Sequence, residues 1–300
     1  MKVVCQTILF LMMGLSIGLG VARAKADQAP PLKIVFIAYE NPDQLVDDVR
    51  PVVRYLEGQL NRKIRYFVAT DYAGVVEALR NQTADMGFMG PLQYVLTHDQ
   101  SGAYPILGEI YNGKATYTSK IFVRRDSGIK KVEQLKDRTM AFVDPISSSG
   151  YMYPLDIFMT QGLIKSKEDA ERFFKKIYFA GGDQAAISAV FNKFVDAAGV
   201  GEYAYNLISP EVRDEVISIA TSRPIPSHCV VVRKGLNPRD VQALQGALLA
   251  LNKGKDRQLL KHLYNVDGYV KVTDADYESV ATLARQYGFL KKTKQVSQTR

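Results

Sequence analysis

Residues 33–39, Lys33-Ile34-Val35-Phe36-Ile37-Ala38-Tyr39, form a nearly unbroken apolar run rich in β-branched and aromatic side chains. The length is that of a strand, and a run without polar alternation reads as a strand covered on both faces. What flanks it decides the architecture. Asp43 to Leu60 carries the periodicity of an amphipathic helix, in which Pro51 marks a bend or a new start. Ile64 to Thr70 reads as a second strand, Tyr72 to Arg80 as a second helix, and Ala84 to Met89 as a third strand ending at Gly90-Pro91. Strands and helices alternating at this spacing predict βαβ units around a parallel sheet.

A second series follows. Tyr117 to Arg125 is β-rich, Thr139 to Val143 reads as a strand, and a helix is expected from about Gly150. Next come a charged helix at Ser166 to Lys176, a strand at Ile177 to Ala180, a helix at Gln184 to Phe194 and a strand at Val195 to Val200. Val216 to Ala220 and Cys229 to Arg233 again read as strands, and Asn237 to Lys292 is helical in pattern nearly throughout. Two α/β lobes with facing sheet ends predict a cleft, because ligands of open α/β sheets bind beyond the carboxyl ends of the strands.

Toward the N-terminus, Lys2 precedes an apolar run from Ile8 to Val21 that ends in Ala22-Arg23-Ala24, the order of a cleavable secretory signal over residues 1–24. The apolar run is short for a membrane span. Export to the periplasm is therefore expected, with Cys229 the one cysteine kept and no internal disulfide. The full chain has 39 basic and 31 acidic residues; without Lys2 and Arg23 the formal charge falls from +8 to +6. A basic balance raises nucleic acid, an anionic membrane or an anionic small molecule as partners. The basic clusters at Arg124-Arg125, Lys130-Lys131 and Lys291-Lys292 fall on strand ends, turns and tail, so no nucleic-acid partner is read from them.

Catalytic constellations are scarce. No HExxH, CxxC, GxSxG or GxxxxGK[ST] occurs, and His98 and His262 fall in polar helical pattern, as surface histidines do. An enzyme is not expected, nor a cofactor or metal. The most informative stretch is Asp144-Pro145-Ile146-Ser147-Ser148-Ser149-Gly150-Tyr151, which follows a strand and opens a helix. There the hydroxyls of Ser147, Ser148 and Ser149 and the first free amides can converge on an anion; plain N-capping explains one serine, and three favour a ligand. Thr70-Asp71-Tyr72-Ala73-Gly74 is a similar βα turn, with Asp71 the natural N-cap and Tyr72 in the first turn. Tyr117-Thr118-Ser119 stands at the entrance to the crossover between lobes.

These blocks resemble the periplasmic phosphonate-, phosphite- and phosphate-binding proteins of ABC importers. The resemblance covers residues 32–236 in order and is carried by Asp71-Tyr72-Ala73-Gly74, Tyr117-Thr118-Ser119, Arg125-Asp126-Ser127, Asp144 through Gly150, Ala189-Val190 with Val195-Asp196, and Ile225-Pro226 before Val230 to Lys234. It implies an α/β, type II periplasmic binding-protein fold: two lobes joined by crossover strands, one from residues 30–115 plus 226–300, the other from 116–225. It implies a soluble binding protein that captures a small oxyanion and hands it to the membrane permease of an ABC importer.

Carried across by position, the head-group residues of that family match Tyr72, Tyr117, Ser147 and Ser148. A histidine of the family matches Asp183, which would need a protonated P–OH to accept from, an ammonium, or another ligand; otherwise it caps the helix that follows. Acids that recognise an amine in the family fall at Tyr203, next to Glu202, and at His228, which argues against an aminoalkylphosphonate; His228 would assist an anion or pack at the hinge. A second reading stays open: a periplasmic sensing protein of the same fold that docks on a membrane sensor kinase, with other oxyanions as ligands.

Overall fold

The computed structural model describes residues 29–38 and 42–290. The expected signal segment over residues 1–24, Tyr39 and the Lys291-Lys292 pair lie outside them. In chain order the elements are β1 (Leu32–Ile37), α1 (Pro42–Asp48), α2 (Arg50–Leu60), β2 (Ile64–Ala69), α3 (Tyr72–Arg80), β3 (Met86–Met89), α4 (Pro91–Ser101) and β4 (Tyr104–Ile110). Then follow β5 (Thr116–Tyr117), β6 (Ser119–Arg124), β7 (Thr139–Phe142), α5 (Tyr153–Thr160), α6 (Ala170–Phe173), β8 (Lys176–Phe179), α7 (Asp183–Phe191) and β9 (Ala197–Gly201). The chain finishes with α8 (Ala204–Leu207), α9 (Pro210–Glu215), β10 (Val216–Thr221), β11 (Ile225–Pro226), β12 (Cys229–Val232), α10 (Pro238–Ala250), β13 (Gly268–Lys271) and α11 (Glu278–Gln286).

β1 is buried on both faces. Leu32, Ile34 and Phe36 join a core with Val52 and Leu56 of α2 and Leu244 and Leu248 of α10, while Val35 and Ile37 join one with Val75 and Leu79 of α3. Each such side chain stabilises the fold by about 1.5–3 kcal/mol relative to exposure. Pro51 marks a new start: α1 ends at Asp48, Val49 turns, and α2 begins with the proline in its first turn, where a missing N–H costs nothing.

The first sheet runs β13-β4-β12-β3-β1-β2. Only its β3-β1-β2 part is parallel; β12 lies antiparallel to β3 and β4, and β13 antiparallel to β4, so the sheet is mixed. The second runs β10-β6-β9-β7-β8, with β7 parallel to its neighbours and β6 antiparallel to its own. Between them β5 and β11 form a two-stranded antiparallel ribbon, Tyr117 opposite Ile225. One strand of the ribbon leads out of the first sheet and the other returns to it. The two lobes are thus joined by paired crossovers.

Three local expectations are corrected. The charged segment Ser166 to Lys176 contains only the short α6, because Phe173 and Phe174 are both buried and successive helical side chains cannot face one core; the backbone leaves the helix at Phe174 with ψ of 147°. The C-terminal stretch is not continuously helical: residues Lys255–His262 wind as a 3-10 helix, and β13 extends the first sheet. The helix expected from Gly150 starts as a widened π turn over Ser148–Met152 before α5. Cys229 is fully buried in β12. Among the described residues no helix is long and apolar enough to cross a membrane.

Candidate functional site

Four βα turns meet between the lobes. β2 feeds α3 through Thr70-Asp71, β3 feeds α4 through Gly90, β7 feeds the π turn through Val143 to Ser147, and β8 feeds α7 through Ala180 to Gly182. Each presents a helix N-terminus, where unpaired amides and the helix dipole favour negative charge. Asp71 caps α3 by accepting the Gly74 N–H at 2.7 Å, which leaves Tyr72 in the first turn with its ring buried. Ser147 caps the π turn by accepting the Gly150 N–H at 3.0 Å. Gly150 is obligatory there, since a Cβ would fall 2.3 Å from that of Val143.

The cavity at this junction has a volume of about 660 Å³. Its wall includes every residue expected from sequence: Tyr72, Tyr117, Ser147, Ser148, Ser149, Asp183, Tyr203 and His228. At ~30 Å³ per water, the space exceeds one tetrahedral ion and admits solvent or a substituent besides. Among the described lining residues Lys261 is the single Lys or Arg, against Asp48, Asp183 and Asp267. The charge of the chain is not gathered here.

Hydroxyl donors do gather. The Tyr117 side chain is 2% exposed and its hydroxyl has no hydrogen-bond partner, the Ser149 hydroxyl lying near but outside bonding geometry. Burial pushes the phenols of Tyr72, Tyr117 and Tyr203 well above the ordinary range, and the Asp183 carboxylate adds to this at Tyr72 and Tyr117, so both remain neutral donors. Ser148 spans the lobes, its hydroxyl oxygen accepting the Leu92 N–H of α4 at 2.8 Å. The Ser149 carbonyl accepts from the Ser119 hydroxyl at 2.6 Å, which pins the turn to β6.

Asp183 does not cap its helix. α7 begins one residue earlier than the pattern predicted, with Gly182 at the N-cap and no side-chain cap. The Asp183 carboxylate instead reaches β9 and accepts the Gly201 N–H at 2.8 Å. Burial raises its proton affinity, the Gly201 bond and nearby His228 acting the other way. A Cβ at Gly201 would stand a tight 3.0 Å from the Ser149 hydroxyl.

Tyr203 stacks between Tyr111 and Tyr117, with ring centroids at 4.2 and 4.9 Å, and His228 continues the ladder 5.2 Å from Tyr117. Glu202 points elsewhere, accepting from the Thr118 N–H at 3.1 Å and hydroxyl at 2.7 Å. Behind His228 lies Glu109, 1% exposed, with Oε2 3.6 Å from Nδ1. Glu109, Gly201 and the α4 terminus escaped the sequence reading. The one signal for Glu109 was a lone acid in the apolar run Tyr104 to Ile110; Gly90-Pro91 at a strand end was the signal for α4. His262 also lines the cavity, whereas His98 bonds the Ala103 carbonyl away from it.

Comparison with known proteins adds to this geometry. The sequence model of the family described as "ABC transporter, phosphonate, periplasmic substrate-binding protein" matches residues 34–277. A phosphate-import protein, PhnD, of Mycolicibacterium smegmatis is 30% identical over 55% of the chain, a match spanning 53% of that relative, about half its length. The phosphonates-binding periplasmic protein of Escherichia coli is 28% identical over 79% of the chain and 70% of its own. Among solved structures, PhnD1 of Prochlorococcus marinus in complex with methylphosphonate superposes with a TM-score of 0.77 at 19% identity, covering 86% of this chain and 98% of that one. Likeness at that identity speaks for the fold alone, the type II binding-protein arrangement.

Proposed function

The chain belongs to the family of periplasmic substrate-binding proteins of phosphonate ABC transporters, and from that premise we propose that it captures a small phosphorus oxyanion, phosphate, phosphite or a simple phosphonate, and presents it to a membrane permease. The family is one of solute binders, not enzymes. The observation that carries the ligand class is the gathering of Tyr72, Tyr117 and Ser147 to Ser149 around one cavity, with the Tyr117 hydroxyl buried and without a hydrogen-bond partner. A buried donor left unpaired costs about 1–3 kcal/mol, and an oxyanion oxygen relieves that cost. Neutral O–H donors and helix termini hold the charge in place of lysine or arginine, through charge-assisted hydrogen bonds in a site shielded from water. The lobes 30–115 plus 226–300 and 116–225 close on the ligand about the β5/β11 ribbon, and the mature protein works in the periplasm after loss of residues 1–24.

The relatives support this range of ligands, one being named for phosphate import, one for phosphonates, and one holding methylphosphonate. Isothermal titration of the mature protein with phosphate, phosphite and methylphosphonate is the test. Micromolar or tighter binding of at least one is expected, and failure to bind any of them refutes the ligand class.

A further inference from the structure

We propose that Asp183 makes the site select oxyanions that carry a proton, so that the cleft takes phosphorus oxyanions with a P–OH group and rejects sulfonates and sulfate of the same shape. The inference rests on the function proposed above and specifies the protonation state of the ligand. Asp183 lines the same cavity as Tyr72 and Tyr117, close enough to act on both phenols. Its carboxylate is held to the Gly201 N–H and not spent on capping α7. A carboxylate has acceptors only, so beside a fully ionised oxyanion it repels unless one proton lies between them.

Three ways of meeting that demand can be weighed. A cationic side chain would do so, but the single Lys or Arg among the described lining residues, Lys261, sits in the 3-10 helix of the first lobe, and the Asp183 carboxylate bonds the Gly201 N–H. A ligand ammonium would do so, but Asp183 shares its place with the O–H donors of Tyr72 and Tyr117, which suit acceptor oxygens. A P–OH satisfies both: its proton goes to the free face of Asp183, and the remaining oxygens accept from the tyrosines and serines. The other titratable groups facing the carboxylate are Tyr72 of α3, Tyr117 of β5 and His228 before β12, with Glu109 behind the histidine. Burial keeps the two phenols protonated, so neither gives up the proton that the carboxylate needs.

The selection is general in its physics. A buried site built to bond a ligand O–H rejects an isostere lacking it much more strongly than shape alone allows. Methylphosphonate and methanesulfonate make the comparison, since the second cannot hold a proton in water. Wild-type mature protein should bind methanesulfonate at least ~100-fold more weakly than methylphosphonate. Above the second ionisation of methylphosphonate, affinity should fall about tenfold per pH unit, and calorimetry in two buffers of unlike ionisation heat should record uptake of one proton per ligand bound. Asp183→Asn keeps the acceptor for Gly201 and removes the charge; it should abolish the uptake at alkaline pH and narrow the discrimination to about tenfold or less. Asp183→Glu should retain selectivity at reduced affinity.

The wild-type proton count does not depend on any variant folding. Binding of methylphosphonate at alkaline pH without proton uptake overturns the proposal while leaving the phosphorus ligand class intact. Uptake that persists in Asp183→Asn places the proton on another group and overturns it too. No binding of phosphate, phosphite or methylphosphonate at all removes the function and this inference together.

Discussion

Tyr117 concentrates the residue-scale chemistry. Its hydroxyl is a buried donor that the protein leaves unsatisfied, so Tyr117→Phe should leave thermal stability unchanged or slightly higher while weakening oxyanion binding by about 1–3 kcal/mol, roughly 5- to 150-fold. Melting curves and calorimetry on the same variant separate the two effects; equal loss of both would mean the ring position, not the O–H, matters. Residues of this kind were legible in the sequence because the chemistry is local: Tyr72 and Ser147 to Ser149 follow a strand and open a helix, and that grammar is written in consecutive positions. Asp183 was half legible. Its βα turn was plain, but whether the side chain caps its own helix or crosses to Gly201 depends on where α7 starts, and a one-residue shift in that start decides it. Glu109 and the Leu92 amide come to the site through space, from a strand and a helix whose own patterns show only burial.

At the scale of elements, α5, α11 and the crossover before β11 are tied through one carboxylate. Asp156 of α5 is 2% exposed and accepts two bonds from Arg223, both at 2.8 Å, and one at 2.6 Å from the Tyr287 hydroxyl just past α11. Arg223→Ala leaves that carboxylate buried with the tyrosine alone and should cost about 1.5–3 kcal/mol in urea unfolding; Tyr287→Phe should cost less, about 0.5–1.5 kcal/mol. The opposite order of cost would refute the reading. The asymmetry follows from solvation, since Arg223 is half-exposed and can hydrate whereas Asp156 cannot. Elements with strong internal periodicity, β1, α3 and β7 among them, were legible without neighbours. β13 was not: it exists by pairing with the edge of β4, and Gly268-Tyr269-Val270-Lys271 alone carries no strand pattern strong enough to interrupt a helical stretch. α6 was overread because charge periodicity looks helical even where two adjacent phenylalanines pull the chain out of the helix.

At the scale of the whole molecule, two lobes with a cleft between them read directly from the sequence as a ligand trap, because each lobe showed its own βα alternation, and the crossovers that join them followed from the family resemblance. What no single-chain pattern carried is that the lobes touch. The Leu92 amide of the first lobe reaches the Ser148 hydroxyl of the second. Ser148→Ala cuts it, and stopped-flow titration followed by tyrosine fluorescence, the intrinsic signal of a chain with no tryptophan, should show both association and release accelerating, with release the more affected. Unchanged rates would mean the bond has no part in opening. Its consequence belongs to time more than to affinity: a bond that runs directly from lobe to lobe is a contact the ligand does not make, so release of a captured solute would be metered by how often that latch lets go.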